Sequence, residues 1–232
     1  MSVKFDSTVQ PSINKSLLEE LKKLYVPAIC DACDTLGIKP MLMDQGIQEV
    51  WPGAKTAGIA ATLKFAPLER GEVFREQMVM DILKLADKIV PGHFIVIDSS
   101  DVMPAGLLGQ VTSSMLIQKG VVGAVVDGAV RDIAQVVELR FPMWARGRVA
   151  TSIRGRMKIT ELQTVVKCGG QTVRPNDMVF GDQNGVVVIP PEHAERIIKK
   201  AKELAKADSW WFEQVKKGRK DFSELEKEVP LP

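Results

Sequence analysis

The sequence predicts an α/β domain with a partly parallel sheet, on three observations. Residues 121–126, VVGAVV, make an apolar, β-branched run of strand length, bounded by Gly120 and by Asp127-Gly128, which reads as a strand buried on both faces. Helical patterns flank it. Residues 106–119 place Leu107, Leu108, Val111, Met115 and Ile117 at near-helical spacing, and residues 133–139 repeat the pattern with Ile133, Val136 and Val137. A second buried run, residues 94–97 (FIVI), follows a helical pattern over 71–89 that Pro91-Gly92 stops, so strands and helices alternate.

From the N-terminus, residues 15–24 (KSLLEELKKL) alternate apolar and charged positions at helical period, with Ser12 or Asn14 as the cap. Pro27 opens a second short helix, ICDACDTLG, that Gly37 can terminate in the left-handed region; Asp31 there reads as a packing or capping residue. Residues 40–58 are rich in turn signals, and residues 59–65 give a short strand. After the central unit, Met143-Trp144-Ala145 is a further strand. Residues 149–190 then change to short strands and tight turns, with Asp182-Gln183-Asn184-Gly185 as a hairpin signal before the strand VVVI. A long charged helix over 192–217 closes the chain, and Trp210, Trp211 and Phe212 near its end suit packing against another surface, such as another subunit.

The 232 residues, 45% hydrophobic, suffice for one large core, so 1–232 reads as a single domain, with 1–26 a helical extension and 191–232 a terminal helix and tail. A net charge of +2 gives no reason to expect nucleic acid or an anionic membrane as partner. No apolar run approaches membrane-spanning length and MSVKFDSTVQPSIN lacks a signal-peptide pattern, so a cytoplasmic location is expected. Three cysteines make no disulfide framework. Cys30-x-x-Cys33 falls in a helical segment, and Cys168, His93 and His193 do not obviously complete a zinc site.

The chemistry concentrates at Gly128-Ala129-Val130-Arg131-Asp132, where a turn leaves the carboxyl end of the buried strand and enters a helix. Ligands of open α/β sheets sit in that place. A cation beside a carboxylate suits a small anionic ligand and a metal, although an Arg-Asp pair at a turn also serves as a plain salt bridge and helix cap.

Several separated motifs occur in one order: ICDACDTLG, GLLGQ, then twenty residues to Arg131-Asp132, with VVGAVVDGAVRD, FPMWARG and VRPNDMVFGDQNGVVVIP. Over about residues 27–218 the chain thereby resembles the RraA-like family, which includes 4-hydroxy-4-methyl-2-oxoglutarate aldolases that also decarboxylate oxaloacetate. The resemblance implies an α/β/β/α sandwich, assembled as a homotrimer or a homohexamer with active sites at subunit interfaces. It implies that Asp132 binds a divalent metal, Mg2+ or Mn2+, whose other positions are water and substrate. It implies that Arg131 contacts the carboxylate and developing enolate of a small 2-oxo acid, and that Gly106, Leu107, Leu108 and Gly109 form a backbone cradle for the carboxylate. Glycines let amides approach an anion, and a hard cation prefers oxygen, so these roles are chemically coherent.

One position departs from the pattern. Gln110 stands where the aldolases usually carry an acidic residue that positions or deprotonates a metal-bound water. Glutamine holds a water but accepts no proton. Asp101, Asp127 and Asp208 are the alternative bases, Asp208 because the family brings a carboxylate from a neighbouring subunit's terminal helix. The expected activity is therefore a metal-dependent carbon–carbon lyase, with oxaloacetate decarboxylation the reaction most tolerant of Gln110. The alternative is a non-catalytic regulator that binds a ribonuclease or another protein, as the family's founding member does.

Overall fold

The computed structural model describes residues 3–5, 14–69, 89–102 and 104–230, and the helix expected over 71–89 lies outside them. A two-residue strand β1 (Lys4–Phe5) precedes helices α1 (Lys15–Leu21) and α2 (Val26–Thr35). Asn14 caps α1 by accepting the Leu17 N–H at 3.2 Å, and Ser12 is outside the described residues. Pro27 sits in the first turn of α2, where a missing N–H costs nothing, and Gly37 follows its end with φ of 67°. The N-terminal segment is more than a helical extension: β1 pairs with a later strand, and Leu18 and Leu21 are buried in the core.

Strands β2 (Met41–Leu42), β3 (Gln48–Glu49), β4 (Thr56–Pro67) and β5 (His93–Asp98) come next, then α3 (Gln110–Gln118), β6 (Gly123–Val130), α4 (Ile133–Glu138) and β7 (Met143–Arg148). Strands β8 (Met157–Leu162), β9 (Val166–Cys168), β10 (Gln171–Val173), β11 (Met178–Asp182) and β12 (Gly185–Ile189) lead to helices α5 (Pro191–Lys216) and α6 (Phe222–Glu228). Strands β4, β5, β6 and β7 run parallel, and the β11–β12 hairpin adds antiparallel to β4. The sheet order is β2-β12-β11-β4-β5-β6-β7-β3. Strand β4 pairs twice along one edge, residues 56–59 with β11 and residues 63–67 with β8.

The sheet curls until its two ends face each other. Trp144 on β7 donates its indole N–H to the Asp182 carbonyl at the end of β11, 3.0 Å away, and a side chain at Gly181 would strike the Trp144 ring. Alternation along the strands then separates the faces. Ala60, Phe94, Val96, Val125, Trp144, Val179, Val186 and Val188 fill the inside of the curl, with the β9–β10 hairpin closing it. Outside, α1, α2 and α5 cover Ala57, Ile59, Phe180, Val187 and Ile189. Leu116 of α3 and Val136 of α4 pack over Ile95, Ile97, Val126 and Val130. Two facing β layers between two helical layers give the α/β/β/α sandwich.

Two elements differ from the reading of the sequence. The helix expected over 106–119 begins only at Gln110, because residues 106–109 are extended and hydrogen-bonded between other segments. The strand expected to stop at Val126 continues to Val130: Asp127-Gly128 is not a turn but a shift in the β6–β7 register. The corner therefore falls at Arg131 and Asp132. The long α5, about 39 Å by helical rise, buries Ala194, Ile197, Ile198 and Ala201 in its first half only.

Candidate functional site

The register shift in β6 is pinned from both faces. Asp127, 7% exposed, points into the curl, where its carboxylate accepts the Arg146 Nε–H and the Gly169 N–H, the latter at 2.6 Å. Its carbonyl accepts the Ser99 hydroxyl, and a Cβ at Gly128 would come within 2.9 Å of the Ser99 side chain. Glycine is required there by close approach. This fixed segment delivers Ala129 and Val130 to the end of the sheet, where Leu107 N–H donates to Ala129 O and Arg131 N–H to Leu108 O, both at 2.9 Å.

Arg131 and Asp132 thus emerge side by side at the carboxyl end of β6. Asp132 has φ of 55°, a left-handed conformation that Asp adopts more readily than most residues. Although it precedes α4, its side chain does not cap that helix; it reaches across to α3, where Oδ2 accepts the Gln110 N–H at 3.0 Å. Arg131 Nε lies 3.5 Å from the same oxygen, and the two side chains stay 37% and 34% exposed. The charges are paired but remain open to solvent.

Gly106 and Gly109 make this closeness possible. A Cβ on Gly106 would meet Arg131 Cβ at 2.8 Å, and one on Gly109 would collide with the Asp132 carboxylate and with Arg131 Cγ. The structure thus brings Gly106, Leu107, Leu108, Gly109, Gln110, Arg131 and Asp132 together. It divides the cradle, however. Gly106 N–H donates to Thr151 O and Leu107 N–H to Ala129 O, both at 2.9 Å, while the side chains of Leu107 and Leu108 are buried. Among the described residues, the Leu108 and Gly109 amides have no hydrogen-bond acceptor, so they are the two that can face an anion.

The three alternative bases are placed differently. Asp127 is committed to Arg146 and Gly169 on the inner face and is no candidate to take a substrate proton. Asp101 lies exposed in a left-handed turn after β5, φ 61°. Asp208 on α5 accepts the Tyr25 hydroxyl; burial, and after it this bond, holds the phenol above its ordinary pKa, and Asp31 nearby is raised by burial and then by Asp208. Gln110 is exposed, and it is its backbone that contacts Asp132. Cys30 and Cys33 lie in α2 with thiols pushed up to about 11, mainly by burial, which leaves them unreactive at neutral pH. His93 accepts the Val90 N–H through Nδ1, and burial lowers its pKa, so it is a neutral core residue.

Among the described residues, no three His, Cys, Asp or Glu side chains converge as a metal cage, and no helix is long and apolar enough to cross a membrane. A cation at Asp132 would therefore have one protein ligand. The donor fits: Oδ2 is held by Gln110 N–H, Oδ1 has no hydrogen-bond partner among the described residues, and the carboxylate faces solvent that can complete the shell. A hard divalent ion that keeps most of its waters suits such a site. Sequence reading missed the segment around Thr151 and Ser152, which braces Gly106; its only signal was a break between strand patterns.

A family profile described as RraA-like, Aldolase/RraA, matches residues 26–188. A Halalkalibacterium halodurans protein provisionally named 4-hydroxy-4-methyl-2-oxoglutarate aldolase is 36% identical over 121 residues, 52% of this chain and 57% of its own. A Pseudomonas paraeruginosa protein with the same provisional name is 30% identical over 168 residues, 71% of this chain and 93% of its own. The chain spans from about a third to just over half of the length of two curated relatives it matches. Among solved structures, Streptomyces coelicolor RraAS2, titled an unusual member of the RNase ES inhibitor RraA family, superposes with TM-score 0.74 at 26% identity, covering 91% of this chain and 100% of that one.

Proposed function

The chain belongs to the RraA-like family, and from that premise we propose that it is a divalent-metal-dependent lyase of the class II pyruvate aldolase type. Its substrate class is a small 2-oxo acid, cleaved or decarboxylated between C3 and C4. The observation that carries this reading is the corner itself: Arg131 and an open Asp132 carboxylate lie over glycines whose Cβ atoms would collide with them. A salt bridge serving only the fold needs no glycine beneath it.

Mg2+ or Mn2+ held by Asp132 would supply positive charge to the 2-oxo oxygen and the adjacent carboxylate. The other roles belong to the chain. The Leu108 and Gly109 N–H groups, at the N-terminus of α3, donate to the carboxylate. The Arg131 guanidinium faces the oxygen that gains charge when the C3–C4 bond breaks and its electron pair moves into the C2–C3 bond. In oxaloacetate the departing carbon leaves as carbon dioxide, and C3 then takes a proton. In the aldol substrate the C4 hydroxyl must first lose its proton, and Gln110 can only hold a water for that step. Leu107 and Leu108 support the cradle from the core. A homotrimer or homohexamer, soluble in the cytoplasm, is the proposed working form, supported by Phe212, Val215 and Phe222 standing more than half exposed at the α5–α6 end.

The test is oxaloacetate decarboxylation by the purified chain with Mg2+, compared with the same sample in excess EDTA. Turnover that needs the metal is expected. Equal rates with and without EDTA, or none in either, would remove the lyase reading in favour of the family's protein-binding regulators; sedimentation of the same sample as a monomer at micromolar concentration would remove the assembly.

A further inference from the structure

Arg131 lies on Gly106, so whatever fixes Gly106 also fixes Arg131. A Cβ built on Gly106 would meet Arg131 Cβ, Cγ and Cδ at 2.8, 3.0 and 3.2 Å, which means that the stem of the arginine runs flat against the glycine backbone. Three segments meet there and close on one another. Strand β7 pairs with β6 through Arg148 and Val130, and Val149 N–H donates to Val130 O at 3.0 Å, which ties the end of β7 to the residue before Arg131. Residues 106–108 are tied to β6 in turn, Leu107 N–H donating to Ala129 O and Arg131 N–H to Leu108 O. Thr151 makes the third side. Its carbonyl accepts the Gly106 N–H and its hydroxyl donates to Pro104 O, both at 2.9 Å, a grip at two points on either side of the buried Ala105.

The hydroxyl is the part of this triangle that depends on residue type. The other ties are main-chain bonds that many residues would make; among the described residues, the Thr151 hydroxyl gives the one side-chain hydrogen bond that joins the three segments. It takes hold where the chain has little else. The connection from β5 runs through Ser100 and Asp101, both left-handed with φ of 56° and 61°, and Pro104 has no N–H, so its carbonyl is the only main-chain group by which it can be tied. Resting on the lyase reading, we infer that Thr151 is a positioning residue: its hydroxyl holds residues 104–106 against β6, so that Gly106 keeps the Arg131 guanidinium aimed at the oxygen that gains charge. Thr151 and Pro104 are exposed, so loss of the hydroxyl leaves Pro104 O to water and costs the fold little. The effect falls on aim, to which stabilisation of the transition state is more sensitive than binding of the substrate.

Oxaloacetate decarboxylation by the intact chain with Mg2+ tests this with variants that separate aim from folding. Thr151→Val keeps the shape and loses the hydroxyl; it should lower kcat about fivefold, the shift that one neutral hydrogen bond can hold, and change KM by less than about twofold. Thr151→Ser keeps the hydroxyl and should retain most of the rate. Exchange of the Gly106 amide with solvent, followed by NMR without metal, should quicken in Thr151→Val and not in Thr151→Ser. The deciding measurement is the double variant. Because Thr151 acts through Arg131, Thr151→Val should remove little further rate from Arg131→Lys, whereas a structural role of another kind would remove the same factor from both backgrounds. An unchanged kcat or Gly106 exchange in Thr151→Val, unfolding of that variant, a loss in KM alone, a loss shared by Thr151→Ser, or equal losses in the two backgrounds would each overturn the positioning role while the lyase reading stands. If the wild type itself does not turn over, the lyase reading falls and this inference with it.

Discussion

Asp127 within strand β6 and Asp132 at the corner just after it each pair with an arginine, and the two pairs have opposite fates. Asp127 faces the interior, nearly excluded from solvent, and both its oxygens are taken, by Arg146 and by Gly169 N–H. Asp132 faces outward from a left-handed corner with Arg131, about a third exposed, and only one of its oxygens is engaged. The residue types are the same; saturation differs. A buried carboxylate whose acceptor capacity is filled holds a fold together, because anything less leaves a costly unpaired charge. An accessible carboxylate with an oxygen to spare can afford a ligand.

Paired substitutions test this difference most severely. Asp132→Ala is expected to lower metal-dependent decarboxylation by roughly 10³-fold while lowering unfolding free energy by only about 1 kcal/mol, from the left-handed corner and the lost Gln110 N–H bond. Asp127→Ala should instead destabilise the fold by about 3 kcal/mol, since it strands Arg146 and the Gly169 N–H, as read by urea denaturation. The contrast breaks if Asp132→Ala unfolds the protein, or if Asp127→Ala leaves stability intact and removes only turnover.

Gln110 sharpens the comparison from the side of chemistry. Its backbone already serves Asp132, so replacing the side chain by Glu leaves that bond in place and adds a second carboxylate beside the corner. If proton removal is what limits aldol cleavage, Gln110→Glu should raise cleavage of 4-hydroxy-4-methyl-2-oxoglutarate by about 10²-fold and decarboxylation by far less, because only the former needs a base. An equal rise in both reactions would mean that the new charge acts on metal binding rather than on the hydroxyl proton.

Much of this arrangement was legible in the sequence because it rests on local pattern. The buried runs at 94–97 and 121–126, Pro27 at a helix start and the hairpin at Asp182 to Gly185 each follow from short-range physics, and Arg131-Asp132 stands out at a strand end. What was not legible depends on contacts far apart in the chain. Asp127-Gly128 looks like a turn until Ser99, Arg146 and Gly169 arrive from three other segments to hold it as strand. Residues 106–109 have helical spacing, but backbone bonding to Ala129 and Thr151 outweighs that weak propensity. The same bonds consume two of the four cradle amides, which no spacing rule reveals.

A third aspartate gives the smallest test, since it has the burial of Asp127 without a guanidinium bound to its carboxylate. Asp177 is 3% exposed and accepts the Arg174 N–H at 2.7 Å, while the Arg174 guanidinium lies 3.8 Å from Glu192. Burial, against the lowering effect of that hydrogen bond and the Arg174 charge, raises its pKa from 3.8 to about 6. The folded state then keeps this proton to higher pH than the unfolded chain, so between about pH 4 and 6 the native state binds more protons and stability falls as pH rises; above that window the full cost is present, and below it none is. Asp177→Asn keeps an acceptor for Arg174 N–H and removes the ionisation. It should therefore stabilise the protein at pH 7 by about 1–2 kcal/mol and have little effect near pH 4, as thermal unfolding at the two pH values will show. A loss of stability at pH 7 would mean that the Asp177 charge is held favourably by its surroundings, as Asp127 is by Arg146, and that contact with a guanidinium is not what separates tolerated buried carboxylates from costly ones in this fold.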